Sequence, residues 1–352
     1  MSPHLQQLQQ RDGHTMSSSR ITTHFQGIWV PMVTPFRDGE IDIDAAQQLA
    51  DELACSGISG LVVCGTTGEA AMLDAAEQTM LLDAVLEAVG PHFPVVMGVG
   101  GSDTRAVTAT VQRYNDHPLA GLLISTPAYV RPSQEGIVRH FQTIADATDQ
   151  SIVLYNVPAR TGVNMTPQTV AQLARDSHFV AIKEAGGKLQ QLGELLLETR
   201  LDVLCGDDAL MLASLTMGGH GAMSAAAQVR PDLYAQLYDL VKTGRHGAAS
   251  LLFKALLPII RLLFSEPNPA PVKAALALQG KVRDELRLPM TPMSSAGQEK
   301  LAEALEQLME LPRWSACGKE AQETLREGCL LQLVSTSNII PAVRQDDHRY
   351  HS

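Results

Sequence analysis

The sequence predicts an α/β fold: a closed (β/α)8 barrel of the TIM type with a C-terminal helical extension. Three observations carry this. Short apolar runs recur without polar alternation, as strands covered on both faces of a parallel sheet require. Each run is followed by a stretch of helical period. Eight such pairs follow one another without a break, the number that closes a barrel. Length agrees, since 352 residues with 45% hydrophobic content can bury one large core, and single barrels commonly run to about 250 residues.

The strand-like runs are Gly27–Thr34, Gly60–Cys64, Pro94–Val99, Ala120–Ser125, Ile152–Tyr155, Val180–Lys183, Val203–Cys205 and Gly221–Ser224. Between them, Asp44 is placed to cap the first helix, with Ala46, Leu49, Ala50 and Leu53 at i, i+3, i+4, i+7 spacing. Ser133 caps another, and Pro167 sits near the start of a third, where a missing N–H matters little. A doubly wound open sheet would need a glycine-rich phosphate loop after the first strand. Met32-Val33-Thr34-Pro35-Phe36 is not one. The barrel is therefore expected over 25–228 and an entirely helical region over 229–311. Within it, Leu251–Phe264 is too apolar to stand alone and must pack on the barrel or on another subunit. The polar stretch 1–24 reads as a disordered leader, and 312–352 as a poorly ordered tail with a short apolar patch, Cys329–Val334.

Composition excludes several classes. A net charge of −11 with no basic face repels a phosphate backbone, so nucleic acid is not an expected partner. No apolar run reaches the roughly 20 residues that span a bilayer, and the N-terminus lacks a secretory h-region. Five cysteines without paired spacing argue against disulfides or zinc and fit a reducing cytoplasm.

In a barrel of this kind reactive residues gather at the C-terminal ends of the strands. Lys183 ends an apolar sixth strand. Apolar surroundings disfavour an ammonium, and a neutral amine can attack a ketone to form a Schiff base. The alternative is a structural lysine paired with a carboxylate such as Glu184. Tyr155 lies one βα unit earlier at the same level, where a phenol can relay protons; the alternative is a core tyrosine with a satisfied hydroxyl. Gly65-Thr66-Thr67-Gly68 is a tight turn entering a helix, with N–H groups and hydroxyls suited to a carboxylate. Arg160, on the loop after strand five, can hold a second carboxylate or serve as a surface ion pair. Asp207 and Asp208 read as helix caps rather than metal ligands, because no further Asp, His or Glu cluster accompanies them.

Several strings occur together and in order: GTTGE at 65–69, TPAYVRPSQEG at 126–136, LYNVPARTG at 154–162, IKEAGG at 182–187, GDD at 206–208, GGHGAMS at 218–224, EPNPAPVKAAL at 266–276 and LRLPMTP at 286–292. In these the chain resembles the dihydrodipicolinate synthases, within the N-acetylneuraminate lyase superfamily of class I pyruvate aldolases, from about Phe25 to Leu311. The resemblance implies that Lys183 forms a Schiff base with pyruvate and that Tyr155 shuttles protons. It implies that Thr66 links Tyr155 to Tyr129, which reaches into a neighbouring subunit. Thr66 and Thr67 would bind the pyruvate carboxylate and Arg160 that of L-aspartate 4-semialdehyde, with Gly206 and Met223 also lining the substrate site. It implies no metal or organic cofactor, and a homo-oligomer built as a dimer of dimers.

The chain departs from the pattern where lysine-inhibited members bind lysine. Ala70, Ala75, Gln78 and Ala128 stand there, so little or no inhibition by lysine is expected. Ala128 also removes a ring expected to pack across the dimer. Sister aldolases acting on N-acetylneuraminate, 2-keto-3-deoxy sugar acids or hydroxy-oxoglutarate keep the lysine and tyrosine, and a non-catalytic barrel that only binds a metabolite is the remaining alternative. The paired threonines and the Arg160 loop favour the synthase.

Overall fold

The structure, a computed structural model, describes residues 24–312. The expected leader and tail, apart from His24 and Pro312, lie outside the described residues. Eight strands form the barrel: β1 (Gly27–Pro31), β2 (Gly60–Val63), β3 (Val95–Val99), β4 (Gly121–Ser125), β5 (Ile152–Asn156), β6 (Phe179–Glu184), β7 (Asp202–Cys205) and β8 (Gly221–Met223). They pair in sequence order, all parallel, and β8 closes on β1. Each lies within the expected run or exceeds it by no more than one residue at either end, and β1 ends three residues early at Pro31.

Alternation along each strand separates two cores. Trp29, Val62, Val96, Leu123, Val153, Ala181 and Leu204 fill the barrel, over a floor where the rings of Phe25 and Trp29 stack at 4.8 Å. Ile28, Val30, Leu61, Val63, Ile152, Leu154 and Ile182 point outward against the helices. Burying Val, Leu and Ile on both sheet faces stabilises by about 1.5–3 kcal/mol per side chain relative to exposure.

The surrounding helices are α1 (Ile43–Ala54), α2 (Ala75–Val89), α3 (Thr104–Arg113), α4 (Gln134–Ala145), α5 (Pro167–Leu173), α6 (Leu189–Glu198), α7 (Met211–Thr216) and α8 (Pro231–Lys242). The eighth helix thus lies beyond residue 228, and the barrel pattern runs to Lys242. Asp42, not Asp44, caps α1: its carboxylate accepts from Ala45 N, and Asp44 sits in the first turn, where its charge faces the positive end of the helix. Ser133 caps α4 and Thr166 caps α5 with Pro167 at its start.

Beyond the barrel lie α9 (His246–Leu263), α10 (Ala270–Leu278) and α11 (Ser295–Met309). This region is not entirely helical. Residues 279–294 are irregular, starting at Gly280 in the left-handed region (φ 73°) and carrying Pro289 and Pro292, which cannot continue a helix. Helix α9 has 18 residues and is apolar enough to enter a membrane by composition. At 1.5 Å per residue it spans about 27 Å, and one face, Leu252, Leu256, Ile259, Ile260 and Leu263, is buried within this chain, where α9 packs on α8 and α11. A short hairpin, Phe36–Arg37 with Glu40–Ile41, is an element that no apolar run announced.

Candidate active site

The end of β6 decides the site. Side chains on a strand alternate between faces. Ala181 points inward and Ile182 outward, so Lys183 points inward and Glu184 outward. Glu184 is engaged outside the barrel: it accepts from Asn156 Nδ2 at 2.9 Å, Gln191 Nε2 at 3.0 Å and Gly186 N at 2.7 Å. Burial pushes its carboxyl above the usual range, while these donors pull it back. The structural pairing of Lys183 with Glu184 is therefore absent.

Lys183 itself is 7% exposed and has no hydrogen bond or ion pair among the described residues. Its Nζ lies 4.5 Å from the centre of the Tyr155 ring. Tyr155 and Lys183 are cross-strand partners in the β5–β6 ladder, which sets both at one level of the barrel. Gly206, at the end of β7, makes room: a Cβ there would meet Lys183 Cγ and Cε at 3.0 Å and Ala185 Cβ at 2.8 Å.

Lys183, Tyr155, Thr66, Thr67, Arg160, Gly206 and Met223 line one cavity of about 570 Å³ at the barrel mouth, together with Ile260 of α9 and Phe264 just past its end. A hollow between α8 and α9, lined by Leu240, Leu251 and Leu252, contains no strand-end residue. Tyr129 is not in the cavity. It sits at φ 71°, 92% exposed, and Thr66, Tyr155 and Tyr129 share no direct hydrogen bond. The turn 65–69 does not enter an α-helix. It runs through Glu69, in the left-handed region, into a three-residue 3-10 turn at Ala70–Met72. Gly68 N and Glu69 N close on Gly65 O and Thr66 O, leaving the N–H groups of Thr66 and Thr67 without a partner among the described residues. Two N–H groups and two hydroxyls on one turn are donors of the kind that a carboxylate takes, with no helix dipole behind them.

Asp207 caps the next turn as expected, accepting from Ala209 N. Asp208 differs from a surface cap. It is buried, accepts from Ser224 Oγ and Ala226 N, and lines the cavity. Burial raises its carboxyl to about 6, against the pull of Ser224, Ala226 and Lys183. Asn268 was also not singled out. Its Nδ2 donates to Thr67 Oγ1 at 3.1 Å and its carbonyl accepts from Arg160 at 3.4 Å, so it joins the two carboxylate-binding candidates. An Asn-Pro pair by itself signals no more than a turn. Among the described residues no three His, Cys, Asp or Glu side chains converge as metal ligands would.

An unpaired buried amine beside a phenol, at the mouth of a closed parallel barrel, comprises the parts of a class I aldolase-type lyase. The comparisons carry this further. Residues 24–308 match the model of the dihydrodipicolinate synthetase family, and the chain belongs to that family. It is similar to a 4-hydroxy-tetrahydrodipicolinate synthase of Geobacter metallireducens (42% identity over 285 residues, 80% of this chain and 98% of that one). Among solved structures it is similar to a chloride-inhibited dihydrodipicolinate synthase of Acinetobacter baumannii complexed with pyruvate (31% identity, TM-score 0.78, covering 80% of this chain and 98% of that one). It is likewise similar to one from Cyanidioschyzon merolae with lysine bound (34% identity, TM-score 0.78, 81% and 98%).

Proposed function

We propose that this chain condenses pyruvate with L-aspartate 4-semialdehyde to 4-hydroxy-tetrahydrodipicolinate through a Schiff base on Lys183. The observation that carries the reading is the buried amine with no hydrogen bond or ion pair among the described residues, facing Tyr155 in a cavity that also holds Thr66, Thr67 and Arg160. Lys183 Nζ attacks the pyruvate ketone, and the carbinolamine loses water to give an iminium. Loss of a methyl proton gives the enamine, which adds to the aldehyde carbon. The amine of the second substrate then displaces Lys183 from the imine as the ring closes.

Tyr155 relays the protons of these steps. The cradle of Thr66 and Thr67 holds the pyruvate carboxylate, and Arg160 that of the semialdehyde. Gly206 leaves the space that the carbinolamine needs, and Met223, 1% exposed, forms an apolar wall. No resident cofactor is required, because the protonated imine is itself the electron sink.

The exposed Tyr129 supports a homo-oligomer, a dimer of dimers, in which it completes a neighbour's site. The three described cysteines are free thiols, which fits a cytoplasmic setting. The enzyme responds little or not at all to lysine. Ala70 and Ala75 offer methyl groups where polar partners are needed, and the Gln78 amide is already held by Ala70 O at 3.0 Å and Leu73 O at 3.3 Å.

The test is turnover of purified protein with both substrates, coupled to the downstream reductase, with borohydride trapping of pyruvate and Lys183→Ala as control. Turnover and a trapped adduct, both lost in the control, are expected. Trapping without turnover would move the second substrate to another aldehyde or a sugar acid. No adduct would sink the reading. Inhibition by micromolar L-lysine in the same assay would overturn the regulatory part.

A further inference from the structure

A second lysine is buried more deeply than the first. Lys273 lies in α10 with no exposed surface, its Nζ 2.5 Å from Glu69 Oε1 and 2.6 Å from Glu285 O, above the Phe36 ring at 4.1 Å. Burial disfavours its ammonium, and Glu69 is the main group opposing that. Glu69 is the last residue of the turn that carries Thr66 and Thr67. It is 1% exposed and held at φ 53°, and its Oε2 accepts from Arg287 N at 3.2 Å. Arg287 in turn is anchored on Glu77 by two bonds, at 2.6 and 2.8 Å. The turn is thus tied to the α10 region at two points: Asn268 holds Thr67, and Lys273 holds Glu69. Thr34 Oγ1 adds a third tie, donating to Gly68 O at 2.6 Å.

A buried ion pair is a poor source of net stability, because desolvating both ions offsets their attraction. What it supplies is geometry: two charges in a dry site tolerate little displacement. From this we infer that Glu69 and Lys273 are positioning residues, whose ion pair fixes the turn so that the N–H and hydroxyl groups of Thr66 and Thr67 meet the carboxylate of the keto-acid substrate. The inference rests on the proposed function, since it assigns the turn to that carboxylate.

The experiment compares single and double variants. Glu69→Gln combined with Lys273→Met removes both charges of the pair, and only the half-buried Asp284 then lacks the cation it leaned on, so the double variant is expected to melt closer to the parent than Lys273→Met alone. Its KM for pyruvate, and the pyruvate concentration that half-saturates borohydride trapping, should rise by roughly tenfold, the scale of one loosened charge-assisted hydrogen bond. KM for the aldehyde and kcat at saturating pyruvate should stay within about twofold, well short of that scale. A double variant with parental stability and parental pyruvate KM would overturn the inference, because the pair would then be structural only. If the double variant does not fold, Glu69→Asp decides: it keeps both charges but withdraws the carboxylate by one methylene. A raised pyruvate KM supports positioning, and an unchanged one overturns it. Failure of the parent to trap pyruvate would instead bring down the functional reading and this inference with it.

Discussion

Lys183 and Lys273 are both buried, 7% and 0% exposed, and both lie near an aromatic ring. They differ in what surrounds the nitrogen. Lys273 Nζ has a carboxylate and a carbonyl within 2.6 Å. Lys183 Nζ has neither, and faces a cavity with room for a small keto acid. An amine locked in an ion pair must keep its proton to keep its partner satisfied, so its lone pair is not available. An amine without such a partner is under no such constraint, and its lone pair is open to a bound ketone once the proton has left. Burial alone therefore does not mark a nucleophile; burial without a partner does.

The comparison is broken most directly by giving both lysines the same replacement. Lys183→Met should lower turnover by roughly 10⁴-fold or more and abolish the trapped adduct. Its melting temperature should equal or exceed that of the parent, since an unpaired amine is replaced by an apolar chain of similar length. A melting temperature well below the parent's would show that Lys183 has a structural partner after all.

Tyr155→Phe comes next. The ring beside Lys183 stays and only the hydroxyl goes, so pyruvate should still be trapped while kcat falls by about 10²–10⁴-fold. Retained kcat would remove Tyr155 from the proton relay.

Lys273→Met reverses the first outcome. It strands Glu69 as a buried unpaired carboxylate, which should cost about 3–5 kcal/mol in chemical denaturation. A loss under about 1 kcal/mol would mean that Glu69 is reached by water and that the pair is a surface pair in effect.

The smallest effect tests Asp208, the buried carboxyl near Lys183. Its folded value is raised to about 6, from an unfolded value near 3.9. A raised folded value means that its contribution is fully present below the unfolded value and is lost as pH rises through about 6. At neutral pH the charged form therefore burdens the fold. Asp208→Asn, which can still accept from Ser224 and Ala226, should stabilise by on the order of 2 kcal/mol at pH 7.5. The gain should fade as pH falls from 6 toward 4, and denaturation at both pH values checks it. A gain independent of pH would place the effect elsewhere.

The orientation of Lys183 was legible without coordinates, because alternation along β6 forces Lys183 and Glu184 to opposite faces. The rival pairing of the two could have been rejected on that ground alone. The cap of α1 is Asp42, two residues before the expected Asp44, because both are equally good cap types and only the backbone at Asp42 stands outside the helix. Lys273 and Asn268 gave weak signals. A lysine flanked by Val272 and Ala274 in an apolar helix hints at burial, but its partner Glu69 lies 204 positions away in the chain. No local pattern connects them.

The order of the architecture is written in the chain. Eight two-faced apolar runs alternating with amphipathic segments leave a closed parallel barrel as the arrangement that covers every run, and reactive groups then fall at the strand ends. Which of those groups keep a partner is settled by contacts made in the folded chain. Whether a buried charge is paired depends on contacts across tens or hundreds of residues. That is why Lys183 is left without an ion-pair partner while Lys273, in an equally apolar setting, is held by Glu69.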